Sequence, residues 1–431
     1  MCYQHYFNLS GKKMVVGRLL LLLLVTISTR YVAAQRVGEP LSVWQKGQLD
    51  IHHISTGQGN AALLILPDGT SLLIDAGAID PVDWRTGKPR DIPTRPDTMR
   101  QAGEWIARYA RNALRFRADP AIDYVLLTHF HDDHMGTPRH GIKRAAGGYV
   151  LSGITEVAEY ISVHRVLDRG WPDYSYPQSM EADSIVANYR HFLSWQQKHN
   201  GLTVERFQAG RTDQIVSKYN STCPVKIRNL MVNGECWTGK GTQTKHLFPD
   251  LTGLPLLQRP NENMCSAVLS IHYGDFTYFS GGDIPGVLSF GTPEWHDMET
   301  PLAAITGPID VKLVDHHGYR DAENSVLLTA LKPRVLVIPA WSTSHPAPEV
   351  LERMLSTMTY DGKRDVFTTN LLQEAKTLNK QWLAQLKSQS GHVVIRVEPG
   401  GKRYRVFVLD DTQEIAPIKA IYGFYKAKSK R

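Results

Sequence analysis

The chain is poor in cysteine, with four in 431 residues, at positions 2, 223, 236 and 265. No two of them have the spacing of a zinc finger, which excludes that kind of thiolate metal site. Cys223 and Cys236 could form a disulfide outside the cytoplasm, and their spacing leaves the paired and the unpaired state equally open. Cys265 follows the pattern of a buried, inert thiol beside a strand.

Signatures of several common enzyme classes are also missing. The sequence has no glycine-rich phosphate loop of the Walker type, and no Ser-His-Asp or thiol nucleophile arrangement. It has no internal repeat or low-complexity tract. Apolar residues make up 42% of the chain and charged residues 21%. This composition is typical of a globular protein with a well-buried core, and the length allows one large or two moderate domains.

Long apolar runs are confined to the N-terminus. Three basic residues precede the apolar run 19–27, and small residues lead up to Ala34. This pattern predicts a signal peptide over 1–34, and hence an exported protein, periplasmic or secreted, with no transmembrane domain after cleavage. An uncleaved anchor is disfavoured because the run is short for about 30 Å of hydrocarbon. Losing the four basic residues of this segment, which has no Asp or Glu, lowers the formal net charge from +7 to +3. The remaining charge does not indicate nucleic-acid binding by itself.

Apolar periodicity predicts an alternation of strands and helices after residue 50. A helix over 98–114 is expected, with Asp97 as its N-cap. Strands are expected at 51–54, 61–66, 71–74, 122–127, 204–207, 225–232, 266–273, 276–280, 311–314, 335–339, 393–397 and 404–409. Further helices are expected in parts of 154–167 and 180–198, and at 348–358. Hairpins followed by strands that alternate with helices predict two mixed sheets packed face to face, with helices outside.

The densest group of metal-binding side chains follows the buried strand 122–127. Residues 129–134 have the pattern His-x-His-x-Asp-His. In a loop that leaves a strand, His129 and His131 can bind one metal, while Asp133 and His134 turn toward a second. Imidazole and carboxylate suit zinc, and also manganese or iron. A surface loop rich in histidine by chance is the alternative, and four ligands at working spacing argue against it.

Two later strand ends offer matching groups. The strand 276–280 runs into two glycines and Asp283, which could approach closely and bridge two cations. The strand 311–314 runs into Asp315-His316-His317-Gly318. One of these histidines would bind the second metal, and the other would contact substrate or protonate a leaving group.

Two strand-end carboxylates have open roles. Asp75 could orient a ligand histidine or form a local Asx turn, and the two roles are equally supported. Asp315 could likewise orient a ligand or lie at the surface.

With these residues in hand, the chain resembles the metallo-β-lactamase fold superfamily. Within it, the chain is similar to the extracytoplasmic hydrolase domain of ComEC-type competence proteins. The matching segments follow the family order over roughly 50 to 350 and are Gly57-Gln58-Gly59, Leu73 to Gly77, His129 to His134, Asn261 to Leu269, Gly282-Asp283, His316-His317-Gly318 and His345-Pro346.

The resemblance implies an αββα four-layer sandwich with metals at one edge. The hydrolase domain would span 47–360 with an elaboration at 145–260, and residues 361–431 would add a helix and a β-hairpin packed on the core. The implied ligands of two divalent metal ions are His129, His131, Asp133, His134, Asp283 and His317. Asp133, His316 and His345 are the residues expected in catalysis, with His316 near the substrate and His345 near the leaving group. The order of His316 and His317 stays open.

The chain departs from the superfamily at the first metal. A further histidine is usual there, and this chain offers Asn261-Glu262-Asn263, as in ComEC-type domains. Asn261 or Asn263 would bind weakly or line the site. Asn60 stands where that subgroup often has Asp. The chain also lacks the membrane channel of a competence protein, so a role in DNA uptake does not follow.

The expected function is an exported two-metal hydrolase that cleaves phosphodiester bonds with a metal-bridging hydroxide, as a nuclease or phosphodiesterase. Zinc is the expected metal, with manganese or iron as alternatives. The partner is a phosphodiester substrate, with nucleic acid as one such substrate. Two alternatives remain: an esterase, lactonase or β-lactamase of the same fold, and a non-catalytic binding module stabilised by metal.

Overall fold

The computed structural model describes residues 35–80, 82–83, 87–88, 90, 92–139, 143–219 and 224–428. The predicted signal peptide and Cys223 lie outside the described residues. Cys236 and Cys265 are buried free thiols. Residues 36–431 fold as one unit. Within the described residues, no helix has the length and apolar character needed to cross a membrane.

Twenty strands are described. In chain order they are β1 (Leu49–His53), β2 (Ala62–Ile65), β3 (Ser71–Ile74), β4 (Ala121–Ile122), β5 (Tyr124–Leu126), β6 (Ser162–Val163), β7 (Arg165–Asp168), β8 (Thr203–Arg206), β9 (Val225–Val232), β10 (Glu235–Trp237), β11 (Thr244–His246), β12 (Val268–Tyr273), β13 (Phe276–Ser280), β14 (Val311–Leu313), β15 (Val335–Ile338), β16 (Asp365–Thr368), β17 (Leu386–Ser388), β18 (His392–Val397), β19 (Arg403–Leu409) and β20 (Ile418–Lys426).

The described α-helices number eight. They are α1 (Ala102–Ala113), α2 (Asp132–Met135), α3 (Ile154–Tyr160), α4 (Ser184–Asn200), α5 (Thr300–Thr306), α6 (Ser325–Leu331), α7 (Pro348–Leu355) and α8 (Gln373–Leu378). Short 3-10 turns occur at 256–258, 263–265, 294–296, 315–318 and 383–385.

Two nine-stranded sheets contain most of the strands. The first runs β20-β19-β18-β1-β2-β3-β5-β7-β8, and the second runs β11-β10-β9-β12-β13-β14-β15-β16-β17. Both are mixed, since antiparallel pairs give way to parallel pairs from β3 to β8 and from β13 to β17. The segment 145–260 supplies strands to both sheets, and so does the segment 361–431.

The central core lies between the two sheets. Alternate residues of a strand point to opposite faces, so Leu64 of β2 faces the other sheet while Leu63 faces the helices. Leu64 belongs to the same apolar cluster as Ile271 of β12 and Val337 of β15. Strand β2 is therefore buried on both faces, which explains why its sequence is continuously apolar.

Helices cover the outer face of each sheet. On the first sheet, Ile106 of α1 and Phe192 of α4 share a cluster with Leu63. On the second sheet, Leu302 of α5 packs with Phe279, and Val350 of α7 belongs to a neighbouring cluster. Two sheets with helices outside confirm the predicted αββα arrangement.

Some predicted elements have different bounds. The expected helix over 98–114 begins at Ala102, because the Asp97 carboxylate accepts from the Met99 amide and forms a local turn instead of a cap. The stretch 154–167 is helical only over α3, and its end forms β6 and β7. The prediction of a helix in part of this stretch is therefore confirmed, and its end is extended because β7 pairs in parallel with β5.

Candidate metal centre

The candidate site is built from loops that leave strands at one edge of each sheet. Strand β3 runs into Asp75, and its parallel neighbour β5 leads to His129 through two further residues. In the second sheet, β13 leads to Asp283 and β14 leads to His317. Because parallel strands end at a common edge, the sequence brings all these groups to one place.

Four of the predicted ligands converge into one buried group. Asp133, His134, Asp283 and His317 each offer a ligand atom, and these atoms all lie within 4.8 Å of one another. His317 Nε2 lies 2.9 Å from Asp133 Oδ2, and His134 Nε2 lies 3.1 Å from Asp283 Oδ1. The two Nε2 atoms are 3.2 Å apart. Two carboxylates and two imidazoles in this proximity form a donor set that fits a divalent cation such as zinc.

Both histidines of this group are oriented by an acceptor behind the ring. His134 Nδ1 lies 2.8 Å from Asp75 Oδ2, and His317 Nδ1 lies 2.9 Å from the Pro339 carbonyl oxygen. An acceptor at Nδ1 holds a proton there, so Nε2 is the nitrogen that can bind a metal ion once it has given up its own proton, which is the usual arrangement of a metal-binding histidine. The orienting role proposed for Asp75 therefore has a direct contact, and Asp75 is fully buried.

The charges of this group stabilise one another. Burial opposes ionisation of Asp283, but the His134 and His317 imidazoles outweigh it and hold the pKa of that carboxyl well below its usual range. Burial likewise lowers the pKa of His317, yet Asp283 and Asp133 raise it to about 9. Carboxylates that stay ionised while buried need a cationic partner, and a bound metal ion would supply the same charge.

The predicted first-metal pair lies next to this group but is arranged differently. His129 is buried, and its Nε2 lies 3.8 Å from Asp283 Oδ2. That same Nε2 lies 3.1 Å from His131 Nδ1, so the two imidazoles contact each other directly. His131 is half-buried and lines the open cleft. The four residues Asp133, His134, Asp283 and His317 are called the compact group below. His129 and His131 lie beside the compact group and are not part of it.

His316 and His317 both face Asp283 from a strained turn. Their φ angles are 45° and 53°, a left-handed conformation that residues other than glycine adopt rarely. His316 Nε2 lies 3.9 Å from Asp283 Oδ2, and its Nδ1 lies 2.6 Å from Asp321 Oδ1. His316 Nε2 also lies 3.2 Å from Asn263 Nδ2. Asn261 turns away from the site, since its Oδ1 accepts from the Met264 amide.

His345 and Trp341 form one wall of the site. The His345 ring is buried and stacks on the His317 ring with centroids 4.9 Å apart. Burial and the neighbouring His317 hold the pKa of His345 well below its usual value, so its imidazole is neutral. Trp341 Nε1 donates to Asp133 Oδ2 at 3.0 Å, a contact between residues that lie 208 positions apart in the chain.

Two glycine loops hold the backbone of α2 in place. A Cβ atom at Gly59 or Gly77 would overlap the Asp133 carbonyl group. The Asn60 amide donates to that carbonyl oxygen at 2.8 Å, and the Ala76 amide donates to the His134 carbonyl oxygen at 2.7 Å. The two glycine motifs therefore position the ligand segment through close backbone approach.

A buried ion pair holds the loop before α2. The Glu262 carboxylate accepts from the Phe130 amide at 2.8 Å and also binds the Arg169 guanidinium through both oxygens. Arg169 is completely buried. This pair was not predicted, since 93 residues separate the two partners and nothing in the sequence around Arg169 points to Glu262.

A second buried acid group lies behind the β14 turn. It comprises Glu299, Asp315 and Glu323. The Lys312 ammonium contacts Glu323 and lies 2.7 Å from Asp315 Oδ2, so a protein cation already lies within this group. Asp315 is buried against Lys312 rather than exposed, and its Oδ1 and Oδ2 make no hydrogen bond to a ligand histidine. These carboxylates stabilise the turn, because Glu323 accepts from the Asp315 amide at 2.9 Å.

The metal-binding group opens into a cleft of about 620 Å³. Its walls carry Arg90, Tyr319, Arg320, Trp341 and the hydroxyl-bearing residues 342–344. The Arg90 guanidinium lies 5.7 Å from the centre of the Trp341 ring, and that of Arg320 lies 5.5 Å from the centre of the Tyr319 ring. The cleft is therefore polar, with two cations among its walls.

Comparison with known proteins gives structural likeness without sequence relatives. No family model matches the chain, and no curated protein matches it. Among solved structures, a mutant of the CmlA beta-hydroxylase is 12% identical, with a TM-score of 0.38, over 81% of this chain and 54% of that one. This chain thus spans about half the length of that structure.

Two further solved structures are similar at the same low level. A protein named as a metal-dependent hydrolase from Parabacteroides distasonis is 12% identical, with a TM-score of 0.34, over 76% of this chain and 96% of that one. Zn(2+)-bound PqqB from Methylobacterium extorquens is 13% identical, with a TM-score of 0.30, over 67% of this chain and 88% of that one. At these scores the likeness carries no argument about activity, which depends on the side chains of this site.

Proposed function

We propose that the chain is a metal-dependent hydrolase of phosphodiester bonds that uses two divalent metal ions, with zinc as the first expectation. The observation that carries the proposal is the convergence of Asp133, His134, Asp283 and His317 at the floor of an open cleft. Bound divalent ions polarise a phosphoryl oxygen and lower the pKa of water toward about 7. Both effects are what phosphodiester hydrolysis at neutral pH requires.

The cleft walls favour an anionic substrate over a neutral ester or lactone. Arg320 is exposed at the cleft and is the guanidinium most open to a substrate. Arg90 also lines the cleft, but it lies 3.9 Å from Asp83 Oδ2 and 3.8 Å from Asp132 Oδ2. A guanidinium presents a planar set of donors that matches phosphate oxygens. A site for an apolar ester would carry apolar walls, whereas this cleft carries hydroxyl groups and cations.

His345 supplies a neutral imidazole at the same site. It is buried, stacks on His317, and its Nδ1 has no hydrogen-bond partner among the described residues. A neutral imidazole can donate one hydrogen bond and accept another. We assign it the leaving-group side of the substrate, where its N–H would donate to the departing oxygen.

Export and the likeness to ComEC-type domains belong to the same proposal. They are supported by the predicted signal peptide over 1–34 and by the motifs Gly57-Gln58-Gly59 and His316-His317-Gly318. Mass spectrometry of the protein recovered from periplasm or medium tests the export. A mature N-terminus at Gln35 is expected, and protein that starts at Met1 in the cytoplasm would contradict it.

The activity is tested with the full mature chain, stripped of metal and reloaded with zinc or manganese. The substrates are bis-(p-nitrophenyl) phosphate, p-nitrophenyl acetate and a chromogenic β-lactam. We expect metal-dependent cleavage of the phosphodiester, and a loss of more than about 100-fold in Asp283→Asn, since removing a ligand should exceed the effect of removing a group that only orients one. The exposed Asp361→Asn is the matched control and should keep full activity.

The other outcomes separate the alternative functions. A clear preference for the acetate ester or the β-lactam would replace the phosphodiester proposal with an esterase or β-lactamase of the same site. Metal binding without turnover of any of the three substrates would favour a non-catalytic module. An equal rate in Asp283→Asn and in the control would show that the observed activity does not come from this site.

A further inference from the structure

The predicted ligands of the first metal are His129, His131 and Asp283, and a neighbouring histidine can complete this set. We infer that His316 binds the first metal together with His129, His131 and Asp283. This inference rests on the proposed two-metal function. It replaces the substrate contact expected for His316 with a direct role in holding a metal ion.

The hydrogen bond at Nδ1 prepares His316 for metal binding. Asp321 Oδ1 lies 2.6 Å from that atom, so the proton stays on Nδ1 and the lone pair stays on Nε2. His134 and His317 in the compact group are oriented in the same way, by a carboxylate and by a carbonyl oxygen.

The Nε2 atom of His316 lies beside the other predicted ligands of the first metal. It is 3.9 Å from Asp283 Oδ2, and His129 Nε2 is 3.8 Å from the same oxygen. These separations are too long for a hydrogen bond. Donor atoms that each lie ~2.0–2.2 Å from one zinc ion are separated by roughly 3–4 Å, so each of these two separations suits a histidine that shares an ion with Asp283.

The backbone is strained in the way that this role requires. His316 and His317 are consecutive and both left-handed, with φ of 45° and 53°. Each such residue costs about 1–2 kcal/mol, and such strain is retained where function needs it. The turn brings both Nε2 atoms toward Asp283, whereas successive side chains of an extended segment would point to opposite faces. A single ligand at this turn would need only one residue aimed at the site.

Asn263 is the competing ligand for the same position. Its Nδ2 lies 3.2 Å from His316 Nε2, and its Oδ1 is buried without a hydrogen-bond partner in the described part of the chain. Imidazole is a regular zinc ligand, whereas the neutral amide is not among the usual donors. His316 also has the orienting carboxylate. The two assignments therefore predict different numbers of bound zinc ions when His316 or Asn263 is substituted.

The experiment measures metal binding rather than turnover. Metal-free full-length protein is dialysed against Zn²⁺, bound zinc is counted by elemental analysis, and affinities are measured by calorimetry. We expect two ions in the wild type and one in His316→Ala. Asp321→Asn, which keeps the imidazole, should weaken the first ion about 10–100-fold and leave the other unchanged. The exposed His246→Ala is the matched control and should bind two ions.

The remaining outcomes overturn the inference. Two ions of unchanged affinity in His316→Ala would remove His316 from the ligand set, and loss of an ion in Asn263→Ala alone would assign the position to Asn263. A wild type that binds one ion, or a folded His316→Ala that binds none, would also refute it. Circular dichroism identifies a variant that has unfolded, in which case Asp321→Asn decides. Failure of the proposed function differs from all of these, since it leaves zinc binding intact and phosphodiester cleavage absent.

Discussion

Asp75 gathers the hydrogen bonds that position the best-formed part of the site. Its carboxylate accepts from the Thr128 amide at 2.8 Å, from Thr128 Oγ1 at 2.9 Å and from Asn60 Nδ2 at 2.9 Å, and it lies 2.8 Å from His134 Nδ1. The substitution Asp75→Asn keeps the shape of this side chain. It also suits the backbone, because Asp75 has φ of 61° and asparagine tolerates the left-handed region.

The expected loss of stability in Asp75→Asn follows from the hydrogen-bond donors that the new amide group cannot accept from. One oxygen of the new side chain can still accept from the Thr128 amide. The amide nitrogen then faces the donors of Asn60 and His134, and a hydrogen bond to a charged group contributes about 1.5–3 kcal/mol. We expect the free energy of unfolding of the metal-free protein to fall by about 2–4 kcal/mol. Loss of the group that orients His134 should weaken one metal ion about 10–100-fold.

Urea unfolding of the metal-free protein and calorimetric zinc titration measure the two effects separately. Asp361→Asn makes the same chemical change at an exposed position and should alter stability by no more than about 0.5 kcal/mol. If Asp75→Asn matched this control in both stability and zinc affinity, Asp75 would not orient His134, and the account of the compact group would be wrong. A loss of stability with unchanged zinc affinity would refute the orienting role alone.

Three further substitutions test the packing and charges around the site. Gly77→Ala adds a Cβ that overlaps the Asp133 carbonyl, so we expect the free energy of unfolding in urea to fall by about 1–3 kcal/mol and zinc binding to weaken. Unchanged zinc affinity would refute the positioning role of Gly77. Trp341→Phe removes the hydrogen bond to Asp133 and should weaken zinc binding measurably. Trp382→Phe is its control, because that indole nitrogen has no partner among the described residues. Burial raises the pKa of Glu156 to about 7 from 4.5, so the native state loses stability as pH rises between these values. Glu156→Gln should therefore match wild type near pH 4 and be more stable by about 3 kcal/mol above pH 7, and a pH-independent difference would contradict this.

The strands that lead to the site were predictable because each is a short apolar run bounded by turn residues or by a ligand motif. Strand β5 was predicted from its apolar run, and the ligand segment follows it directly in the sequence. The strands predicted at 266–273 and 276–280 are confirmed as β12 and β13, which pair antiparallel. A strand buried on both faces needs a continuous apolar sequence, and that requirement can be recognised without knowing the partners.

The residues that orient the site could not be predicted in the same way. Arg169 and Glu262 become partners only when β7 and the turn before β12 are brought together. Trp341 reaches Asp133 across 208 residues. His316 and His317 are adjacent and chemically identical, so only their backbone angles and the acceptors behind each ring distinguish them. These features depend on tertiary contacts, which local sequence patterns do not contain.

The two halves of the site differ in how completely the protein alone forms them. In the compact group, His134 and His317 each have an acceptor behind the ring and face carboxylates across 2.9–3.1 Å. In the other half, His129 Nε2 lies 3.1 Å from His131 Nδ1, so an entering ion must separate two imidazoles that contact each other. That rearrangement costs free energy which the compact group does not require. The contribution of His316 is therefore largest at the half that is least formed without metal, and its loss should remove one ion while the compact group still binds the other.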